Sequence, residues 1–203
     1  MFDLYYRLRN FLASWKRLRR ARREYSPRIY AVLKLAIRLH GDQRRRYTQD
    51  PYWFHVENVM RTLLRKGIEN EIVLAAALLH DTLEDVEDFY AHQLLEELRT
   101  MYSEPEARQS LRLVMALTDE FTHQKYPQLK RKFRKILERS RFSSAPFEAK
   151  LIRLADMSDN TQSIRKFDEA FFFSTYQEEK EALLKMLTES DYRLLWFSLR
   201  LRD

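Results

Sequence analysis

The sequence predicts an all-α domain with an additional basic amphipathic helix at its N-terminus, and three observations predict it. Two glycines and five prolines in 203 residues leave little material for tight hairpins. Apolar residues recur three and four positions apart along most of the chain. Ser, Asn, Asp, Pro and Gly stand where helices start and stop. The chain is 45% hydrophobic, enough at this length to bury one core.

The elements follow in order. In residues 1–25, Leu4, Leu8, Phe11, Trp15 and Leu18 form the stripe of an amphipathic helix. The same segment holds eight Lys or Arg against Asp3 and Glu24, a net +6 of the chain's +7. The basic character therefore belongs to this appendage, and residues 26–203 form the domain proper. The helix is expected to dock on the domain or on a second subunit, giving a homo-oligomer. Contact with nucleic acid or an anionic membrane is the sharper reading of its arginines. Ser26-Pro27 starts a helix over 28–40, and 41–51 is a polar loop with Gly41 and Pro51. A helix over 52–66 is capped by Gly67. An apolar helix is expected over 71–89, then helices over 91–101, 105–121, 127–140, 146–166 and 176–201. Pro105, Pro127 and Pro146 sit at starts that tolerate proline.

Several function classes fall away. Two glycines cannot build a G-x-G-x-x-G or Walker loop. Without cysteine there is no disulfide framework and no thiolate metal site. No window reads as a transmembrane span or a secretory signal, so a cytoplasmic protein is expected.

One stretch does not read as plain core. LLHDTLED, residues 78–85, puts a histidine and three carboxylates into an apolar run. Unpartnered charges are expensive to bury, so a cation, donors or water must meet them. His80 and Glu84, and Asp81 and Asp85, are helical i, i+4 pairs on neighbouring ridges. His55 and Asp156 are isolated polar residues on two other helices. Together, His55, His80, Asp81 and Asp156 make an N2O2 donor set suited to a divalent transition metal with open positions. A wet helix end with locally bonded side chains is the plainer alternative.

His55…His80-Asp81…Asp156 follows the order of the HD phosphohydrolase superfamily, and longer stretches resemble one branch of it. QRRRYTQDPYWFH, AALLHDTLED and KLIRLADMSDN are similar to the three motifs of Rel/Spo-type alarmone hydrolases. The resemblance covers about residues 30–165 and implies an HD-domain helical bundle without a synthetase domain. It implies that His55, His80, Asp81 and Asp156 hold one metal, Mn²⁺ in this family. Glu84 and Asp85 would orient and deprotonate the attacking water. Arg45 and Arg46 would lie against the base, and Asn160 would contact the nucleotide. Lys130, Arg131 and Arg134 are candidate phosphate contacts or simply a wet helix face. The implied reaction removes the 3′-pyrophosphate of (p)ppGpp, (p)ppApp or both. Val56, Met157 and Asp159 depart from the pattern, and Asp159 adds negative charge beside the expected nucleotide pocket. The alternatives are a protein that senses an alarmone or binds nucleic acid or a partner, and an HD phosphohydrolase of another nucleotide.

Overall fold

The computed structural model describes residues 2–201, with side chains from Leu8 to Leu201. Among these residues the only extended pairing is an isolated antiparallel bridge between Arg44 and Pro51. Helix α1 spans Phe2–Glu24 and α2 spans Pro27–His40. Ser26 caps α2 by accepting from Ile29 N–H at 3.3 Å, and Pro27 occupies the first turn, where a missing N–H costs nothing. Helix α3, Trp53–Arg65, closes at Gly67 with φ 85°, and Ile68 N–H donates back to the Leu63 carbonyl at 3.0 Å. That closure needs a left-handed residue, which glycine supplies without a Cβ penalty.

Helix α4, Glu71–Leu79, is the centre of the bundle, and every residue from Ile72 to Leu79 is buried. It touches α2, α3, α7 (Glu104–Leu117) and α9 (Phe147–Phe167), so apolar residues are required all the way round. The first half of α9 adds Ala149, Leu151, Ile152, Leu154 and Ala155 to the same core. Helix α6, Ala91–Arg99, covers α7 from outside.

The expected helix over 71–89 is not continuous. It ends at Leu79, and a four-residue helix α5, Thr82–Asp85, follows at a new angle of the chain. Side chains cause the break by taking the carbonyls of the last turn. Thr82 Oγ1 donates to the Leu79 carbonyl at 2.7 Å, and His80 Nδ1 donates to that of Ala77 at 2.9 Å. His80 and Glu84 are therefore not i, i+4 neighbours on one helix. The helix expected over 127–140 begins later, as α8, Arg131–Ser143. Glu138 on α8 accepts from the backbone N–H of Glu120 and Phe121, at 2.9 and 3.1 Å, and holds the preceding segment in turns. The expected 176–201 helix is also divided. A short α10, Glu169–Phe171, runs through a π-helical stretch, Phe172–Tyr176, into α11, Gln177–Ser190. Asp191 then caps a separate α12, Tyr192–Arg200, by accepting from Arg193 N–H at 2.8 Å.

The N-terminal helix docks on the domain, but not by its apolar stripe. Ala21 is fully buried and Leu18 packs on the core, whereas Leu8, Phe11 and Trp15 are exposed; Leu4 lies outside the described side chains. The contact is polar and centres on Glu57 of α3, whose carboxylate is wholly buried. It accepts from Arg17 at 2.7 Å, Arg20 at 3.0 Å and the Tyr25 hydroxyl at 2.8 Å. Burial, then the Glu57 charge, pushes the Tyr25 hydroxyl up to about 12, so it remains a donor. Arg9 pairs with Asp50 at 2.7 Å, and Asn10 donates to the Gln49 carbonyl at 3.1 Å. Replacing Glu57 with Gln keeps the shape but removes the charge that two guanidinium groups face. Urea denaturation of Glu57→Gln should show a loss of about 1–3 kcal/mol, with a lower midpoint and an unchanged slope.

Candidate active site

Three elements bring the polar centre together. His55 stands one turn into α3, His80 and Asp81 fill the break between α4 and α5, and Asp156 ends the buried half of α9. One ligand atom from each of His55, His80 and Asp156 lies within 4.8 Å of the others. Asp81 joins them: its Oδ2 is 3.0 Å from His80 Nε2 and 3.5 Å from His55 Nε2. Asp156 Oδ1 is 3.2 Å from His55 Nε2 and 3.7 Å from His80 Nε2.

The rings are fixed from behind. His80 Nδ1 is spent on the Ala77 carbonyl, and the buried Nε2 makes no well-aligned hydrogen bond of its own. His55 Nδ1 bonds Asp159 Oδ2 at 2.7 Å, and Asn58 Nδ2 holds Asp159 Oδ1 at 2.9 Å. Both Nε2 atoms thus face the two carboxylates. This is the arrangement in which a carboxylate or carbonyl orients a metal-ligating imidazole. Two imidazoles and two carboxylates, one ring nitrogen unbonded, fit a divalent ion of borderline hardness. Asp159, which departs from the expected pattern, bonds His55 and also lies 3.5 Å from the Arg45 guanidinium.

Charge balance among these groups sets burial against their mutual hydrogen bonds. Burial alone would lower the His55 pKa, but hydrogen bonds to Asp156, Asp159 and Asp81 outweigh it and raise the ring to about 10. His80 is likewise raised against its burial by Asp81 and Asp156. Burial would raise both aspartates, yet the imidazoles hold Asp81 and Asp156 well below the usual carboxylate range. Tyr52 closes this group, its hydroxyl donating to Asp81 Oδ2 at 2.7 Å.

Glu84 and Asp85 follow on α5. Crowding in the cleft, then the charges of Asp119 and Asp81, push Glu84 up to about 7, although solvent still reaches it. Its Oε1 accepts from the Asp119 backbone N–H. Asp85 accepts from Gln43 Nε2 at 2.9 Å, and Gln43 in turn bonds His40 at 2.7 Å. Gln43 and Tyr52 were legible only as members of the QRRRYTQDPYWFH stretch.

Beside Asp156 opens a cleft of about 200 Å³. Arg131, Lys135 and Arg139 line it from one face of α8, with Arg153, Met157 and Asn160 from α9 and Tyr176 and Lys180 opposite. Of the three cations proposed from sequence, only Arg131 faces it. Lys130 precedes the helix and is exposed, and Arg134 donates to the Leu129 carbonyl. The cleft takes positions 131, 135 and 139 because residues four apart share a helical face. Arg153 bridges Asp119 at 3.3 Å and Asp156 at 3.5 Å, and its pKa is raised by those acids against its burial. Asn160 donates to Asp156 Oδ1 at 2.6 Å and accepts from Arg45 at 2.9 Å. Arg45 is thereby drawn to α9, where it also reaches Ser163 Oγ at 3.2 Å. Arg46 is exposed, its guanidinium 5.4 Å from the Tyr47 ring.

No family model matches the chain. Guanosine-3′,5′-bis(diphosphate) 3′-pyrophosphohydrolase MESH1 of Drosophila melanogaster is 33% identical over 142 residues, 69% of this chain and 71% of that protein. The chain belongs to the MESH1 family. MESH1 of Homo sapiens is 37% identical over 133 residues, 64% of this chain and 66% of its own. The 3′-pyrophosphohydrolase of Aquifex aeolicus is 35% identical over 85 residues, 42% of this chain, and the chain spans only 11% of that enzyme. A solved structure of a metazoan SpoT ortholog, described as hydrolysing ppGpp with a role in starvation responses, superposes with a TM-score of 0.66. It is 26% identical and the match covers 87% of this chain and 94% of that one. The MESH1 fold is thus the all-α HD bundle expected from sequence.

Two outcomes follow for metal binding. Below pH about 10 the His55 ring must give up a proton before its Nε2 can bind a metal. Affinity for a divalent metal ion should therefore climb as pH rises toward that value, with protons released, as calorimetry in buffers of different ionisation heat will read. Asp159→Ala should weaken binding of the divalent metal ion by roughly tenfold or more, measured by the same titration.

Proposed function

We propose that this member of the MESH1 family is a hydrolase that removes the 3′-pyrophosphate of (p)ppGpp, (p)ppApp or both, with Mn²⁺ held by His55, His80, Asp81 and Asp156. The reading is carried by one juxtaposition: Asp156 of the His/Asp cluster also lines the cleft that Arg131, Lys135, Arg139 and Arg153 line. Polyphosphate is the ligand class that such a cleft attracts, and its reacting phosphorus would sit beside Asp156. Relatives named for this activity support the same reading.

The metal would make a water more acidic and withdraw charge from a phosphoryl oxygen. The chain's own groups do the rest. Glu84, with Asp85 beside it, takes the proton of the attacking water. A carboxyl raised to about 7 is well matched to that step near neutral pH. Water oxygen bonds to the phosphorus carried on the 3′ oxygen, the bond from phosphorus to that oxygen breaks, and the 3′ oxygen leaves with a proton as a hydroxyl. The products are pyrophosphate and the nucleoside still carrying its 5′-diphosphate or 5′-triphosphate. Gln43 holds Asp85, and the Asp119 backbone N–H holds Glu84, so both carboxylates are positioned before substrate arrives. The cations of α8 and Arg153 would meet the phosphates, and Asn160, with Arg45 and Arg46, the nucleoside end.

Pyrophosphate release from ppGpp and ppApp, with and without Mn²⁺, tests this directly. Release should need the metal and vanish in Asp81→Ala, and the ratio of the two rates gives the base preference. Glu84→Gln should keep Mn²⁺ affinity while turnover falls by roughly 10²–10⁴-fold. Turnover retained in that variant would remove Glu84 from the proton transfer.

A further inference from the structure

The outer face of α1 is the largest feature that the hydrolase reading leaves without a role. Leu8, Phe11, Leu12 and Trp15 are 57%, 66%, 48% and 52% exposed there. At helical spacing these four fall within an arc of roughly 100°. Lys16, Arg19, Arg22 and Arg23 are exposed on the same side of the helix, and no acidic residue lies among them. The Arg19 guanidinium sits 5.3 Å from the Trp15 ring, and Lys16, Arg22 and Arg23 enter no ion pair among the described residues. The opposite face of α1 is fully occupied, with Arg17 and Arg20 on Glu57 and Asn10 on the Gln49 carbonyl. The helix is thus clamped by its polar side, and its apolar and unpaired basic residues are held outward.

We propose that this face docks the protein peripherally on an anionic lipid bilayer. Such a surface offers the two chemistries the face displays. Its acyl boundary takes Leu, Phe and Trp side chains, and its headgroup phosphates take the four cations. A second copy of the chain would bring Lys16, Arg19, Arg22 and Arg23 of two faces together, which charge opposes. A nucleic acid would pair with the arginines and stack on Phe11 and Trp15, but would leave Leu8 and Leu12 without an apolar partner. No described helix is long and apolar enough to cross a membrane, so the association is one of lying on the surface.

Flotation of the full chain with vesicles tests the proposal. The protein should float with phosphatidylcholine vesicles containing phosphatidylglycerol and not with phosphatidylcholine alone, and salt should release it. Trp15 emission should shift to the blue on binding, a change that Trp15→Phe removes. Phe11→Ser should abolish flotation, and Arg19→Glu with Arg22→Glu should weaken it by roughly fivefold for each charge removed. Pyrophosphate release in solution should be unchanged in all of these, since the residues are remote from the cleft. The proposal is overturned if anionic vesicles recover no protein or if neutral ones recover as much. It is equally overturned if Phe11→Ser leaves flotation intact. It also fails if the face proves to hold a second copy, seen as a dimer that Phe11→Ser dissociates in sedimentation equilibrium. An oligonucleotide bound by this face in place of vesicles would overturn it too.

Discussion

Four ionisable groups buried at one point of an apolar bundle constrain everything around them. His55, His80, Asp81 and Asp156 can share that space only because two cations face two anions within 3.0–3.7 Å. Removing one partner would leave an uncompensated buried charge, which is costly. The four groups therefore come from three anchored places, α3, the α4–α5 break and α9, with outer atoms already satisfied. The Ala77 carbonyl, Asp159 and Tyr52 are those outer partners. A divalent ion held by these four residues would take the place of the imidazolium protons, and Asp81 and Asp156 would neutralise its charge. The price is the break between α4 and α5, where the helix gives up backbone hydrogen bonds so that His80 and Asp81 project together.

The charge of the cleft is arranged in layers outward from this centre. Asp119 links them: its carboxylate meets Lys135 at 2.8 Å and Arg153 at 3.3 Å, while its backbone N–H reaches Glu84. Burial would raise Asp119, but Arg153 and Lys135 lower it, so it stays ionised and keeps Glu84 raised. Two neighbouring carboxylates are thus pushed in opposite directions, Asp119 down and Glu84 up. Arg131, Arg139 and Lys180 line the cleft beyond them.

The N-terminal helix follows the opposite logic. A single buried carboxylate, Glu57, collects two arginines and a tyrosine hydroxyl and so fixes a helix by its polar side. Net charge read over residues 1–25 counts these arginines with the unpaired ones, although they serve different ends. Docking removes Arg17 and Arg20 from the exposed charge and leaves Lys16, Arg19, Arg22 and Arg23 on the outside.

The sequence by itself determined the helical class, most helix starts, the Gly67 closure and the four residues of the polar centre. These are legible because they rest on local spacing and on residue chemistry: two glycines forbid some folds, and His and Asp in apolar runs demand partners. It also marked Gln43, as one letter of a longer stretch. What only the tertiary structure decided is which surfaces meet. The break after Leu79, the turn of Arg134 away from the cleft and its replacement by Lys135 and Arg139 depend on backbone bonds made by side chains. The pairing of Asp159 with His55 joins residues 104 positions apart. The docking of α1 by its polar face depends on Glu57, an ordinary glutamate in sequence that becomes decisive only when α1, α2 and α3 bury it. Long-range burial decides the worth of a charge, and burial is a property of the assembled fold.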